Sequence, residues 1–219
     1  MKIENVEVYG FRRALYGMRN PRESWARSDS TFYIPEEYRA KTAFDDEVLA
    51  LEFPNIGLLD LELACKLIAA NSAERKFLRQ IMVWWDITIP RAVWQELDTY
   101  KVATVRNSCS TMHKLGSRDL TPDDFQNRLV QPTVLERLNQ LGREHRAQKP
   151  KDPKFLHAMK MELPEGYLQQ ATYTFSYETA LNMYGQRHNH RMPEWSGEGG
   201  ICSWLLRLPY FVAFAEAVV

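Results

Sequence analysis

Cysteine is scarce in this chain, with only three among 219 residues. Cys65, Cys109 and Cys202 lie far apart in the sequence and do not have the spacing of metal ligands, and we find no secretory leader. A disulfide framework and a structural metal site are therefore not expected. We expect a cytoplasmic protein whose thiols stay reduced.

An excess of charge of either sign is also lacking. Lys and Arg together number 28, and Asp and Glu together number 28. Without a net charge the chain has no general electrostatic attraction for nucleic acids, so we expect no direct nucleic-acid binding. Any recognition of phosphate groups has to be local.

A long uninterrupted apolar run is missing as well. The apolar C-terminal stretch, 201–219, is broken by Arg207, Pro209 and Glu216, which argues against a membrane span. We interpret this stretch as part of the core or as a subunit interface. The chain is long enough to bury one core, and we expect a single domain, 1–219, with a helical insertion at about 119–150.

Several segments have patterns typical of strands or helices. Residues 1–10 and 80–87 predict strands, and the apolar spacing in 58–70 predicts a helix. Trp84 and Trp85 should face opposite sides of their strand because strand side chains alternate. The polar stretch 17–30 predicts a long loop.

Signals for helix starts and chain breaks complete the pattern. Pro90 suits the first position of a helix, and Thr121 followed by Pro and two acids is typical of a helix start. Leu135, Leu138 and Leu141 predict a helix that covers the core. The segment 149–154 predicts a surface connection.

Polar side chains are dense in residues 86–113, where the predicted strand leads into a helix. Such a concentration is typical of a binding site, although each residue also has a plainer explanation. Ser110 could cap a helix, and His113 could be a structural histidine held by hydrogen bonds.

A second polar segment follows in residues 176–191. Ser176 is a good N-cap for a helix, on which Tyr177, Leu181, Tyr184 and His188 share one face. On the same helix Arg187, with Asn182 nearby, could hold an oxyanion or a pyrimidine edge with paired donors. His188 and His190 are not expected to bind a metal, because residues two apart on a helix diverge and there is no third ligand.

The order of residues in both segments resembles the flavin-dependent thymidylate synthases. In the first segment, Pro90-Arg91-Ala92 matches a Ser-Arg-Ala-like turn, and Thr99-Tyr100-Lys101 stands where that family has Arg-His-Arg. Asn107 and Ser110 match the family's later Asn and Ser, with one extra residue before them. In the second, Leu163-Pro164 precedes a strand, and the Asn182-to-Arg187 spacing is kept.

The resemblance implies a fold, a reaction and an assembly. The fold would be α+β, with helices packed on a mixed or antiparallel sheet. The reaction would be the reductive methylation of dUMP to dTMP by an FAD enzyme that uses methylenetetrahydrofolate and NADPH, without attack by an enzyme cysteine. The assembly would be a homotetramer whose active sites take residues from several subunits.

The resemblance also implies roles for individual residues. Arg187 and Lys101 would be catalytic, with Arg187 on the pyrimidine carbonyls and Lys101 at the last arginine of Arg-His-Arg. The residues implied at the substrate are Glu96 (at the Gln position), Ser110 (at the phosphate), Lys160 and Arg187. Those implied at the flavin are Lys101, Asn107, His113, Ser176 and Asn182.

The departures from the family leave three interpretations open. Two of the three Arg-His-Arg residues are lost, and Met112 replaces a later arginine. The chain could be a divergent thymidylate synthase of the kind expected in phages, or a related enzyme that modifies another pyrimidine nucleotide. It could also be a non-catalytic nucleotide-binding or assembly protein that has lost its flavin site.

Overall fold

A four-stranded and a two-stranded sheet form the β part of the computed structural model, which describes residues 1–33, 53–148 and 152–218. The strands are β1 (Lys2–Tyr9), β2 (Thr31–Tyr33), β3 (Phe53–Asn55), β4 (Met82–Pro90), β5 (Val105–Ser108) and β6 (Leu168–Ser176). The larger sheet has the order β1-β4-β6-β5. Strands β2 and β3 pair antiparallel, with Phe32 opposite Pro54.

Helices cover most of the remaining described chain. They are α1 (Phe11–Arg19), α2 (Leu58–Ala70), α3 (Arg91–Leu97), α4 (Thr111–Lys114), α5 (Pro132–Ala147), α6 (Pro153–Met161), α7 (Tyr177–Arg187), α8 (Pro193–Ser196), α9 (Ile201–Leu205) and α10 (Phe211–Glu216). Short 3-10 helices span Asn20–Arg22, Trp25–Arg27, Glu74–Gln80, Pro122–Asp124 and Gln126–Arg128. The helices pack against antiparallel sheets, which confirms the predicted α+β class.

The segments with strong apolar patterns form the predicted elements. The helix predicted at 58–70 is α2, and the predicted first strand is β1. Along β4 Trp85 is fully buried while Trp84 is half-buried beside Tyr9, so their opposite orientations are confirmed. Leu138 and Leu141 are buried on α5, as the spacing of the leucines predicts.

Two predictions at element ends are wrong. Pro90 ends β4 in an extended conformation, and the helix begins one residue later, at Arg91, whose backbone N–H donates to Tyr167 O at 3.1 Å. The segment 17–30 is not a plain loop, because α1 extends to Arg19 and two 3-10 helices follow. The apolar positions of α1 start before this polar segment, at Phe11, so composition within the segment does not reveal the helix.

Three further predictions are confirmed only in part or stay untested. A helix starts at the predicted place, where Thr121 and Asp124 form a capping box, but it is a 3-10 helix that spans only Pro122–Asp124. The predicted connection at 149–154 lies partly outside the described residues, since 149–151 are not described. A single domain with an insertion at about 119–150 stays a prediction.

The residues group into two compact units. The first unit comprises Met1–Asn5, Trp85–Lys101 and Val105–Tyr173. The second unit comprises Val6–Trp84, Val102–Thr104 and Thr174–Val219. None of the described helices combines the length and the apolar character needed to cross a membrane.

The first unit has an apolar core in which α5 packs on α6. Its buried side chains are Leu115, Leu120, Phe125, Leu138, Leu141, Leu156, Met159 and Leu163. Buried Asn139 joins α5 to the preceding loop, because its amide accepts from Leu120 N at 2.6 Å and donates to Leu120 O at 3.0 Å. Such pairing offsets the cost of burying an amide.

Aromatic rings fill the core of the second unit around Tyr177. Its ring makes edge contacts with Phe11, Phe211 and Phe214 at centroid distances of 5.3, 5.9 and 6.2 Å. Its hydroxyl donates to Pro209 O at 2.9 Å, so the one polar atom of this side chain is satisfied. The C-terminal stretch therefore contributes to the core of this unit.

A buried ion pair connects α1 to α2 in the second unit. Arg19 is 4% exposed and Asp60 is fully buried, and Arg19 Nε lies 2.6 Å from Asp60 Oδ1. Asp60 Oδ2 accepts from the hydroxyls of Ser28 and Ser30, both at 2.6 Å. Burial alone raises the pKa of Asp60, but these hydrogen bonds outweigh burial and lower that pKa below its ordinary value of 3.8.

The start of α2 depends on the same loop. The Asp29 carboxylate accepts from the backbone N–H groups of Leu59 and Asp60, at 2.9 and 3.1 Å. A Cβ at Gly57 would lie 2.1 Å from Asp29 Cγ, so only glycine leaves room for this capping carboxylate. Two successive residues of one loop thus fix the N-terminus of α2: Asp29 accepts from its backbone N–H groups, and Ser30 donates to the Asp60 carboxylate.

We expect Asp60→Asn to lower the free energy of unfolding by about 3–5 kcal/mol at neutral pH, because Arg19 would stay buried without a counter-charge. Since the folded-state pKa is lowered, the stabilisation is present above the unfolded value and is lost as the pH falls through the folded value. Urea unfolding would be measured for the unchanged protein and the variant from pH 7 into the acid range below 3.8. The difference between their free energies of unfolding should become smaller as the pH falls.

A matched control is Glu162→Gln, which removes one partner of the exposed Arg137–Glu162 pair. Exposed pairs contribute little because water screens them, so this loss should be much smaller. An equal loss in the two variants would contradict the importance of the Asp60 cluster.

Candidate functional site

Three predicted site residues lie around α4 in the first unit: Ser110 and Lys160, predicted at the nucleotide, and His113, predicted at the flavin. Ser110 occupies the N-cap position of this short helix, and its side chain makes no capping hydrogen bond. His113 is exposed on the helix. From α6, Lys160 Nζ approaches Met112 Sδ to 3.4 Å. The structure therefore brings Lys160 next to the segment that carries Ser110 and His113.

The charge of Lys160 is not matched within the described part of the chain. Lys160 is half-buried, its contact there is the Met112 thioether, and no carboxylate lies within 4 Å of its ammonium group. A thioether is a weak acceptor that cannot neutralise an ammonium. Lys160 can therefore receive a phosphate at this place without first leaving an acidic partner.

Glu96 and Lys101 lie at the end of α3 and in the following turn. Glu96 is half-buried, and its backbone oxygen accepts from Thr99 Oγ1 at 2.7 Å. Lys101 is exposed. Thr99, which stands in the place of an expected cation, thus ends the helix and carries no charge.

Asn107 is exposed on β5. Its neighbour Arg106 is a cation that the sequence analysis did not select. The guanidinium of Arg106 lies 4.4 Å from the ring centroid of Trp94, and Arg106 Nη1 lies 2.5 Å from Asp98 Oδ2. Trp94 itself is fixed because its indole N–H donates to Gln169 O at 2.9 Å. Arg106 thus connects β5 to Trp94 and Asp98. Its position next to Asn107 on a strand was the available signal, because neighbouring strand residues face opposite sides.

In the second unit, Ser176 occupies the N-cap of α7, which confirms its predicted capping role. Its fully buried hydroxyl accepts from Thr179 N at 3.2 Å. The Thr179 hydroxyl donates in turn to Val102 O at 2.9 Å. The Ser176 oxygen is thus committed to the helix, unlike the Ser110 oxygen.

Asn182 is exposed on α7 and adjoins a cluster of charges. Its side-chain oxygen lies 3.5 Å from Arg75 Nη2. Buried Glu178, one turn earlier, binds Arg79 through two hydrogen bonds of 2.5 and 3.2 Å and lies 3.6 Å from Arg75 Nε. Two guanidinium groups share one carboxylate here, so the cluster has a surplus positive charge.

Sequence reasoning missed Arg75, Arg79 and Glu178. Arg75 Nε is buried and has no hydrogen-bond acceptor among the residues that the structure describes. The available signal was the repeated spacing of four, from Arg75 to Arg79 and from Glu178 to Asn182. The partners are about a hundred residues apart in the chain, so the sequence did not indicate that they meet.

Arg187 ends α7 and is held by aromatic neighbours. Its guanidinium lies 5.2 Å from the ring centroid of Trp195, and its Nη1 lies 2.9 Å from His190 Nε2. His190 Nδ1 also faces the Met192 backbone N–H, at 3.2 Å. A neutral imidazole has a lone pair on only one ring nitrogen, so His190 can accept from one of these two donors at a time.

Cys202 lies in the same region as Arg187. Burial raises the pKa of its thiol to about 12, although the Arg187 charge acts in the opposite direction. The thiol is therefore protonated at neutral pH and is not a nucleophile. The described residues also contain no group of three or more His, Cys, Asp or Glu arranged to hold a metal ion.

Comparison with known proteins gives a result at the level of structure only. No protein-family model matches the sequence, and no curated protein matches it. Two similar solved structures are of the flavin-dependent thymidylate synthase ThyX from Helicobacter pylori, each with FAD and dUMP. One has a TM-score of 0.67 and 14% identity and covers 100% of both chains. The other has a TM-score of 0.68 and 14% identity and covers 100% of this chain and 99% of that one.

At this identity the similarity shows the fold. The predicted flavin-dependent thymidylate synthase-like fold is therefore confirmed over the length of the chain. The roles predicted for individual residues stay predictions.

We expect Ser176→Ala to lower the free energy of unfolding by about 1 kcal/mol, because the Thr179 N–H loses its acceptor at the start of α7. Urea unfolding monitored by circular dichroism would measure this loss. Ser110→Ala is the matched control and should have little effect, because the Ser110 hydroxyl does not cap α4. A larger loss from Ser110→Ala would reverse the assignment of the two serines.

Proposed function

We propose that this protein is a flavin-dependent thymidylate synthase that converts dUMP to dTMP with methylenetetrahydrofolate and NADPH, and that it works as a homotetramer. The observation that carries the proposal is its similarity, over the whole chain, to synthase structures solved with FAD and dUMP. The ordered match of Asn107, Ser110, Asn182 and Arg187 to the family pattern supports it further.

The arrangement around α4 supports a phosphate-binding role for Lys160 and Ser110. The Lys160 ammonium is unmatched by any carboxylate within the described residues, and the Ser110 hydroxyl is not used in capping. An ammonium and a hydroxyl are suitable donors for a phosphate monoester. Glu96 and His113 would complete the nucleotide and flavin contacts of this unit.

Arg187 would bind the pyrimidine carbonyl edge. Its guanidinium is planar and is oriented by the Trp195 ring, which favours paired hydrogen bonds in one plane. The half-buried position increases the strength of such bonds, because water screens them less. Arg187 would thereby hold the base still and polarise its carbonyl groups, as expected of a catalytic residue.

The cluster beside Asn182 fits an anionic flavin nucleotide. Arg75 and Arg79 share one carboxylate, and Arg75 Nε has no hydrogen-bond acceptor within the described part of the chain. These cations would replace part of the charge lost from Arg-His-Arg. Lys101 and Asn107 are flavin contacts implied by their match to the family pattern. Ser176 would act by positioning the start of α7.

When bound, FAD would supply the hydride and relay the one-carbon unit. The protein's own residues would bind the nucleotide, orient its base and place positive charge at its carbonyl and phosphate oxygens. Cys202 has no part in this chemistry, because its buried thiol stays protonated. The family resemblance implies a reaction without attack by an enzyme cysteine, and Cys202 is unsuited to such an attack.

One observation favours an alternative, a nucleotide-binding protein without flavin chemistry. Thr99 uses its hydroxyl to end α3, so the Arg-His-Arg position serves helix termination and contributes no cation apart from Lys101. If this loss is not compensated by Arg75 and Arg79, flavin binding fails while nucleotide binding remains.

We expect the purified protein to retain FAD after gel filtration and to convert dUMP to dTMP when supplied with methylenetetrahydrofolate and NADPH. The visible absorbance of bound flavin and the nucleotide product measure the two properties separately. Arg75→Gln should weaken FAD binding, with Arg22→Gln, an exposed arginine in the same unit, as the control. Binding of dUMP without retention of FAD would favour the alternative.

We expect Lys160→Ala to weaken dUMP binding by about tenfold or more, because a charge-assisted hydrogen bond to the phosphate contributes roughly 1.5–3 kcal/mol. Deoxyuridine has no phosphate, so its affinity should not change. Calorimetric titration of both ligands makes this comparison. Lys154→Ala, at the other end of α6, is the control. An equal effect on both ligands would place Lys160 away from the phosphate.

A further inference from the structure

A pocket of about 270 Å³ lies in the second unit, and none of its lining residues is among those proposed to bind the nucleotide or the flavin. Helix α1, the 3-10 helix Trp25–Arg27 and strand β2 form its walls. The lining residues that define its chemistry are Arg12, Arg13, Tyr16, Arg19, Trp25 and Phe32. Its volume is close to the lower end of the range for small-molecule pockets.

The pocket is strongly basic in a chain that has no net charge. Three of its eight described lining residues are arginines, Arg12, Arg13 and Arg19, and none of the eight is acidic. On α1, Tyr16 follows Arg12 by about one turn and Arg19 follows Arg12 by about two, so all three share one side of the helix. Among the described residues, no carboxylate lies within 4 Å of the Arg13 guanidinium. The pocket thus concentrates positive charge on one helix face.

Arg19 contributes a buried donor that the fold leaves unused. The residue is 4% exposed, and Asp60 is saturated by Arg19 Nε and by the hydroxyls of Ser28 and Ser30. Arg19 Nη2 is buried and has no acceptor within the described ranges. A buried guanidinium N–H without a partner is costly, so an anion or its water shell in the pocket would be stabilised here.

The other walls are aromatic. Tyr16 and Trp25 stack at a centroid distance of 5.6 Å with an interplanar angle of 12°. The Trp25 indole N–H donates to Asn20 Oδ1 at 2.8 Å, which fixes the ring. Tyr16 is still 51% exposed and Trp25 37%, so the stack has a face left for a planar ligand. On the other side, the Arg12 guanidinium lies 5.1 Å from the Phe32 centroid.

We propose that this pocket binds a nucleoside monophosphate at a site separate from the synthase chemistry. The base would stack on the exposed face of the Tyr16–Trp25 pair, which accepts any base because each has a π-face. The phosphate would take its hydrogen bonds from Arg13 and from the Arg19 side of the pocket. A base alone would use only the aromatic wall, and a phosphate alone would use only the guanidinium groups, so a ligand that carries both fits the pocket better.

Calorimetric titration of the full-length protein with AMP tests the proposal, with ribose 5-phosphate and adenosine as part-ligands. We expect each part-ligand to bind at least about tenfold more weakly than AMP, because each lacks one set of contacts. Arg13→Gln should weaken AMP binding by about tenfold, whereas Arg27→Gln, which removes an exposed arginine that does not line the pocket, should not. Arg19 is left unchanged, because its removal would leave Asp60 buried and unpaired.

Photolabelling with 8-azido-AMP locates the site. Trypsin would release 14–19 with Tyr16 and 23–27 with Trp25, and we expect the label in one or both of these peptides. Label only elsewhere, or binding of ribose 5-phosphate as strong as that of AMP, would overturn the proposal. Loss of the label in excess FAD would also overturn it, since the pocket would then belong to the cofactor. Failure of the synthase assay leaves these readouts unaffected.

Discussion

The buried Asp60 carboxylate is the constraint on which the second unit depends. A charge without exposure to water is tolerated only if every lone pair is used, and Asp60 binds Arg19, Ser28 and Ser30 for this reason. These bonds fix α1 and the 28–30 loop against α2. The same loop then places Asp29 at the α2 N-terminus, so one carboxylate determines the walls of the basic pocket as well as the path of the chain.

Ser110 and Ser176 show how similar residues take different roles. Both precede a helix, but the Ser176 hydroxyl is buried and caps α7, whereas the Ser110 side chain does not cap α4. A hydroxyl that satisfies a helix N–H contributes to stability and has little left for a ligand. The Ser110 hydroxyl is not used by its helix, and Lys160 contacts Met112 in the same short helix.

Positive charge lies at other positions than the resemblance to the flavin-dependent thymidylate synthases predicts. The segment around Thr99 ends α3 with a hydroxyl where cations were expected, and Arg106 is bound to Trp94 and Asp98. Arg75 and Arg79 meanwhile outnumber the one carboxylate between them, that of Glu178. The surplus positive charge of this cluster therefore lies outside residues 86–113, and the overall charge balance of zero conceals it.

The sequence by itself determined the elements whose apolar residues repeat at a fixed spacing, namely helix 58–70 and the strand on which Trp84 and Trp85 face opposite sides. It also determined the Ser176 cap, because a serine is a favoured N-cap residue. It could not determine the end of β4 at Pro90 or the helix hidden before the polar segment 17–30, because local composition is ambiguous there. Only the tertiary structure decided which charges meet. The pairs Arg19–Asp60 and Arg79–Glu178 join residues 41 and 99 positions apart, and contacts between such distant residues follow from packing and not from local pattern.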